Sequence, residues 1–198
     1  MVRRVVVALL VPVEWHPPGV ELGVWRAALA EDVVDLLARL AQAEPAIAAV
    51  AADRALAEEI AWPGMPIYEV ATATVLPVLE AAAKDGYDQA AVVAADAADV
   101  PGMILGKLLR PLSSKPVAVA PNGGGEGLLA VASHLPAPEW LVDHDLDSAS
   151  PMLLRKSAPQ PSDVESTADW RRLRGPGDLA TLDLALEGWE TTRALLGG

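Results

Sequence analysis

The sequence predicts an α/β protein, a three-layer α/β/α sandwich around a mostly parallel central sheet, and three observations carry that prediction. Apolar runs of strand length alternate with segments of helical period over the first 120 residues, the signature of βαβ units with right-handed crossovers. The runs are continuous, as strands covered on both faces must be. Turn-forming clusters such as Pro17-Pro18-Gly19, Trp62-Pro63-Gly64 and Asp85-Gly86 fall between these segments.

Residues 4–11 read as the first strand, which ends where Pro12 and the later prolines remove amide donors and fix φ. In residues 25–42, Leu29, Val33, Leu36, Leu37 and Leu40 recur at helical spacing, with Arg26, Glu31, Asp32 and Arg39 elsewhere on the cylinder. This helix covers the first strand. Residues 46–51 and 66–70 read as strands on either side of a helix at 54–60. A helix over 74–84 ends at Gly86, which supplies a left-handed C-cap. Strands at 89–94, 116–120 and 127–133 follow, with a helix over 103–112. From 136 to 167 Pro, Ser and Asp dominate around a short apolar patch at 151–154, and a helical pattern returns over 178–196 with a break near Gly188. With no internal repeat and no interdomain linker, residues 1–198 read as one domain.

Composition narrows the function. A length of 198 residues suffices for a substantial core. Hydrophobic residues make up 52% and Phe is absent, so core volume must come from Leu, Val, Ala and the six Trp. A net charge of -12 without a basic cluster argues against nucleic acid as a partner. No apolar segment approaches the roughly 20 residues that span a bilayer. The apolar start is too short for a secretory signal and lacks a cleavage site. The expected location is the cytoplasm, with no membrane partner. The absence of Cys removes disulfides, thiolate metal sites and cysteine nucleophiles together.

The strand at 89–94 leads to Asp96, followed by Asp99 and Pro101. The carboxyl end of a parallel strand is where open α/β sheets bind ligands, and a carboxylate there can hold a divalent cation against phosphate oxygens. The plainer alternative is that Asp96 or Asp99 caps the next helix. The run Pro121-Asn122-Gly123-Gly124-Gly125-Glu126-Gly127 lets backbone amides approach a phosphate, or else is a flexible hairpin loop. It is neither a Walker loop nor a dinucleotide fingerprint. Asp143-His144-Asp145-Leu146-Asp147 gathers acids without the Gly and terminal Glu of an EF-hand and reads as a solvated loop. His16 and His134 lack an identifiable carboxylate partner, and no Ser lies on a nucleophile elbow.

Several of these pieces, taken in order, carry a resemblance. Val11-Pro12-Val13 closes the first strand, Arg26-Ala27-Ala28-Leu29-Ala30 lies in the first helix, residues 86–96 lead to Asp96, residues 121–129 form the Gly-rich loop, and Arg172-Leu173-Arg174-Gly175-Pro176-Gly177-Asp178-Leu179 closes the site. Over most of its length the chain resembles the nucleotidyltransferase branch of the GT-A, nucleotide-diphospho-sugar transferase superfamily, nearest to 2-phospholactate guanylyltransferases and related small NTP transferases. The resemblance implies that Asp96 and Asp99 hold Mg²⁺ or Mn²⁺. It also implies that Pro12, Asn122, Gly123, Gly124, Gly125, Arg172 and Arg174 line the site of a nucleotide or phosphorylated small molecule. A homodimer is compatible with it.

Four departures fall on residues that the family's chemistry uses. Residues 14–19 contain no Lys or Arg and add Glu14 where the family holds the triphosphate with cations. Ala97-Ala98 replace the usual Leu-Pro, Glu126 replaces a Thr or Asn, and Arg172 and Arg174 stand where the closing segment has acids. Nucleotidyl transfer needs positive charge around the triphosphate. Arg cannot coordinate a metal, yet its planar fork can bind phosphate directly. Three readings follow: a nucleotidyltransferase-like binding protein with degenerate catalytic machinery, an active metal-dependent nucleotidyl- or glycosyltransferase with altered substrate, or a structural partner that associates through Trp140, Trp170 and Trp189. For these tryptophans, filling a core without Phe is the simpler role.

Overall fold

The structure, a computed structural model, describes residues 2–197. It is built on one seven-stranded sheet. In chain order the elements are β1 (Arg4–Leu9), α1 (Leu22–Ala38), β2 (Glu44–Ala49), α2 (Arg54–Ile60), β3 (Ile67–Glu69), α3 (Val75–Lys84), β4 (Gln89–Ala94), α4 (Gly102–Leu109), β5 (Val117–Pro121), β6 (Leu128–His134), α5 (Pro151–Ser157), β7 (Val164–Ser166), α6 (Pro176–Leu179) and α7 (Glu190–Leu195). The strands lie in the order β3-β2-β1-β4-β6-β5-β7. Every pairing is parallel except those of β6, which runs antiparallel to both β4 and β5. The α/β class with a mostly parallel sheet between helical layers is what the sequence predicts.

Side chains on a strand alternate between faces, and β1 shows the consequence. Val6, Ala8 and Leu10 pack with Val33, Val34 and Leu37 of α1 and with Leu105 and Leu108 of α4. Val5, Val7, Leu9 and Val11 pack on the other side with Val78 and Leu79 of α3 and with Leu154 of α5. All six residues of β4 are buried, so the strand that leads to Asp96 is held from both faces.

The differences from the sequence reading have physical causes. Helix α1 begins at Leu22, earlier than residue 25, because the Glu21 carboxylate caps the amides of Gly23 and Val24. Its carboxyl end is cut at Ala38, since β2 begins pairing with β1 at Glu44. Helix α5 starts with Ser150 accepting from the Leu153 amide and Pro151 in the first turn, a Ser-Pro start signal that an apolar-patch reading passes over. Strand β7, Val164–Ser166, lies in a Pro-, Ser- and Asp-rich stretch without turn-bounded apolar flanks and becomes a strand through pairing with β5. The helix read over 178–196 exists only as its two ends, α6 and α7. Between them Leu182 and Leu186 pack onto a third apolar cluster with Trp25, Leu173 and Trp189, so tertiary packing overrides a continuous helix. Among the described residues no helix is long and apolar enough to cross a membrane.

Candidate functional site

Asp96 follows β4 at the point where the Ala95 amide still donates to the Leu9 carbonyl, so it sits at the carboxyl ends of β1 and β4. Neither Asp96 nor Asp99 caps α4, whose N-cap is Pro101 and which receives no side-chain cap bond. The carboxylates turn instead toward segment 170–174. Arg172 Nε donates to Asp96 Oδ1 at 2.7 Å and Nη2 to Oδ2 at 2.8 Å. This two-pronged pair is closed to solvent, with 0% of the Arg172 side chain and 2% of the Asp96 side chain exposed. Arg172 Nη1 also donates to the Leu128 carbonyl and lies 2.7 Å from Asp147 Oδ1, an ion pair outside hydrogen-bonding geometry. Burial works against the Arg172 charge, but Asp96 by charge and hydrogen bonds, and then Asp147, hold the guanidinium above its ordinary value.

Arg174 is half-buried on the same side. Its Nη2 donates to Asp147 Oδ2 at 2.9 Å and its Nε lies 3.8 Å from Asp96 Oδ2. Between them Leu173 enters the third apolar cluster while its amide donates to the Asp96 carbonyl. Asp99 has a parallel arrangement one step away. Arg171 Nε and Nη2 donate to its Oδ2 at 2.9 and 2.6 Å, and the Trp170 indole donates to Oδ1 at 3.2 Å. The Arg171 guanidinium also stacks over the Trp170 ring, 4.7 Å from its centroid.

The glycine loop is tied to the same segment. Asn122 Oδ1 accepts from the amides of Gly124 and Arg172, and its Nδ2 donates to the Glu126 carbonyl. The Gly123 amide donates to the Trp170 carbonyl and the Gly125 amide to that of Asn122. The loop amides expected to face a phosphate thus have partners inside the protein. The glycines serve close approach of another kind: a Cβ at Gly124 would lie 2.5 Å from Asp178 Oδ1, and one at Gly123 would lie 2.8 Å from Asp169 Oδ2. Pro12 is exposed at the head of its loop. His16 makes one local contact, to the Pro17 carbonyl, and His134 ends β6 in ladder bonds.

The acidic run 143–147 lies at the surface, as a solvated loop would, with Asp143 exposed and Asp145 and Asp147 partly so, yet each acid has a partner. Asp143 accepts from the Leu76 amide and the Thr74 hydroxyl at the start of α3. Asp145 closes its own turn by accepting from the amides of Asp147 and Ser148 and from the Ser148 hydroxyl. Asp147 pairs with both arginines. It is a site residue that the sequence reading does not single out, as are Arg171 and Trp15. The usable signal was Arg172 and Arg174 two residues apart, a spacing that puts both on one face of an extended segment and calls for more than one counter-charge.

A cleft of about 210 Å³ remains, lined by Val13, Glu14, Trp15, Asp96, Leu173 and Arg174. Trp15 is partly exposed there and rests edge-on against the buried Trp25, with centroids 6.1 Å apart. Asp96 and Asp147 pair with the guanidiniums of Arg172 and Arg174, and Glu14 adds a carboxylate to the cleft lining. The donors do not fit Mg²⁺ or Mn²⁺. Both oxygens of Asp96 and of Asp99 already accept from nitrogen donors, and among the described residues no three His, Asp or Glu side chains gather as ligands.

The fold is the one shared by solved nucleotidyltransferase structures. The chain superimposes on a protein assigned as a nucleotide-diphospho-sugar transferase from Desulfovibrio desulfuricans G20, with a TM-score of 0.69 and 17% identity over 100% of this chain and 95% of that one. A cytidylyltransferase from Leptospira borgpetersenii matches at a TM-score of 0.60 and 9% identity, covering 99% and 93%. Rv0371C of Mycobacterium tuberculosis, in complex with manganese, matches at 0.51 and 16%, covering 100% and 98%. No protein-family model matches the sequence, and no curated protein does. Identities this low carry the fold and not the activity.

Proposed function

We propose that this chain is a nucleotidyltransferase-like binding protein that holds a nucleotide or phosphorylated metabolite without a divalent cation. The observation that carries the reading is the buried two-pronged pair between Arg172 and Asp96. In a metal-dependent transferase the carboxylate after this strand needs free oxygens for the cation. Here a guanidinium supplies the positive charge permanently, and among the described residues no protein group is placed to assemble a metal-bound triphosphate.

Arg174 is the residue assigned to the ligand. Its side chain is 34% exposed beside the cleft, and its planar fork suits a phosphate oxygen pair. An incoming phosphate competes with Asp147 for it, so binding carries an exchange of partners in place of a new charge. Trp15 lines the same cleft and is the aromatic group there on which a base can stack. Glu14 on that loop works against a triphosphate and favours a ligand with fewer negative charges. Asn122 and the glycine loop position the segment that carries both arginines.

Thermal denaturation with GTP, ATP, CTP, UTP and common sugar nucleotides, each with and without Mg²⁺ or Mn²⁺, tests this reading, because a ligand bound only by the native state raises Tm. The expected result is a rise with one ligand that needs no metal and disappears in Arg174→Ala. A rise that requires metal and disappears in Asp96→Ala would instead establish a working metal-dependent site. No rise with millimolar ligand would leave a scaffold without a small-molecule ligand.

A further inference from the structure

The molecule carries a second concave site that shares no lining residue with the Asp96 cleft. A groove of about 660 Å³ lies between α4 and the carboxyl end of α1 with its following turn. Its wall is apolar, formed in part by Leu40, Leu105 and Leu109, and Met103 stands at its edge with 64% of its surface exposed. Four cations, Arg4, Arg39, Lys107 and Arg110, also line it, and no Asp or Glu does. This is a local reversal of sign in a chain of net charge -12. Among the described residues none of the four enters a salt bridge.

Arg4 is held in place. The buried Gln89 donates from Nε2 to the Leu112 carbonyl, which turns its Oε1 to accept from Arg4 Nε at 2.7 Å. The two terminal nitrogens of Arg4 have no hydrogen-bond partner among the described residues, and that fork matches a carboxylate or phosphate. Four like charges around one groove repel one another, and an anion relieves the repulsion. The apolar wall gains by losing water only if the anion carries an apolar body. The volume falls within the roughly 300–1,000 Å³ of small-molecule sites.

We infer that this groove binds a small anionic amphiphile, an aliphatic or ring-bearing molecule ending in a carboxylate or phosphate. Arg4 and Arg110 meet the anionic head, Arg39 and Lys107 add long-range attraction, and Met103 with the leucines covers the apolar body.

Calorimetric titration of the full chain with decanoate and decyl phosphate, against decanol and inorganic phosphate, reads the proposal directly. Both amphiphilic anions are expected to bind at least about tenfold more tightly than either control, the scale of one charge-assisted hydrogen bond. The double variant Arg39→Gln and Arg110→Gln, both exposed residues, removes the charges without placing acids at the two helix ends and should weaken the anions by at least about tenfold while leaving decanol unchanged. Equal binding of decanol and decanoate, equal binding by the variant, or no binding of any probe overturns the proposal. A wild-type dimer in sedimentation that the same variant dissolves also overturns it, since a second copy then fills the groove.

Discussion

Arg172 keeps its charge at zero exposure because Asp96 accepts from two of its nitrogens and the Leu128 carbonyl from the third, with Asp147 as a second counter-charge. Removing one partner of a buried pair leaves the other charge uncompensated, whereas an apolar replacement of both is tolerated. Arg172→Met is therefore expected to lower the unfolding free energy by about 3–5 kcal/mol in urea denaturation. The double variant Arg172→Met with Asp96→Leu should recover most of that loss. A cost under about 1 kcal/mol for the single variant would mean that the pair is solvated and that its carboxylate is free to do other work. Gly127 makes a second residue-scale case. Its φ is +91°, and a Cβ there would meet the Leu146 carbonyl at 2.6 Å. Gly127→Ala should destabilise by about 1–3 kcal/mol, read from the same urea transitions.

At the scale of elements, the ends of helices show how distant segments are recruited. Helix α3 has Thr74 at its N-cap with no side-chain cap bond, and Asp143, from the loop after β6, accepts from the Leu76 amide at 2.9 Å. Asp143→Ala should cost about 1 kcal/mol, and Asp143→Asn about half of that, in equilibrium unfolding. Helix α4 contains the opposite opportunity. Gly106 lies mid-helix, and a Cβ added there would have nothing within 4 Å of it, so Gly106→Ala should raise stability by about 0.5–1 kcal/mol. The six-residue helix α7 is anchored by Asp32, which accepts from the amides of Thr191 and Thr192. Trp189 beside it is fully buried and is therefore a core residue that cannot serve association with a partner.

Across the whole molecule, the two tyrosines tie the parallel half of the sheet to its connections. The Tyr68 hydroxyl donates to Asp85 and the Tyr87 hydroxyl to Glu44. Burial, then the hydrogen bond to Glu44 and its charge, pushes Tyr87 up to about 12 from its ordinary 10.0. Burial and the bond to Asp85 push Tyr68 upward as well. A folded-state value above the unfolded one means that the native state binds the proton more tightly. The stability is therefore fully present below about pH 10 and is lost as pH rises toward 12. Unfolding measured in steps across that range should show this decline, and Tyr87→Phe should make it shallower. An unchanged slope would place the alkaline loss elsewhere.

The α/β class, six of the seven strands and the position of Asp96 after β4 were legible in the sequence. These features rest on local periodicity and on turn residues whose effect on φ is independent of context. The three-residue β7 was not legible, because it becomes a strand only through pairing with β5. The fate of Asp96 was open for the same kind of reason. The residue type permits a cap, a metal ligand or an ion pair, and the choice fell to Arg172, 76 positions away in the chain. Asp147 joined through the loop after β6, with no local pattern to announce it. Sequence determined which segments could form and where a charged residue must emerge from the sheet. Tertiary structure alone decided which opposite charge met it, because burial forbids an unpaired carboxylate and leaves its partner to be supplied by the fold.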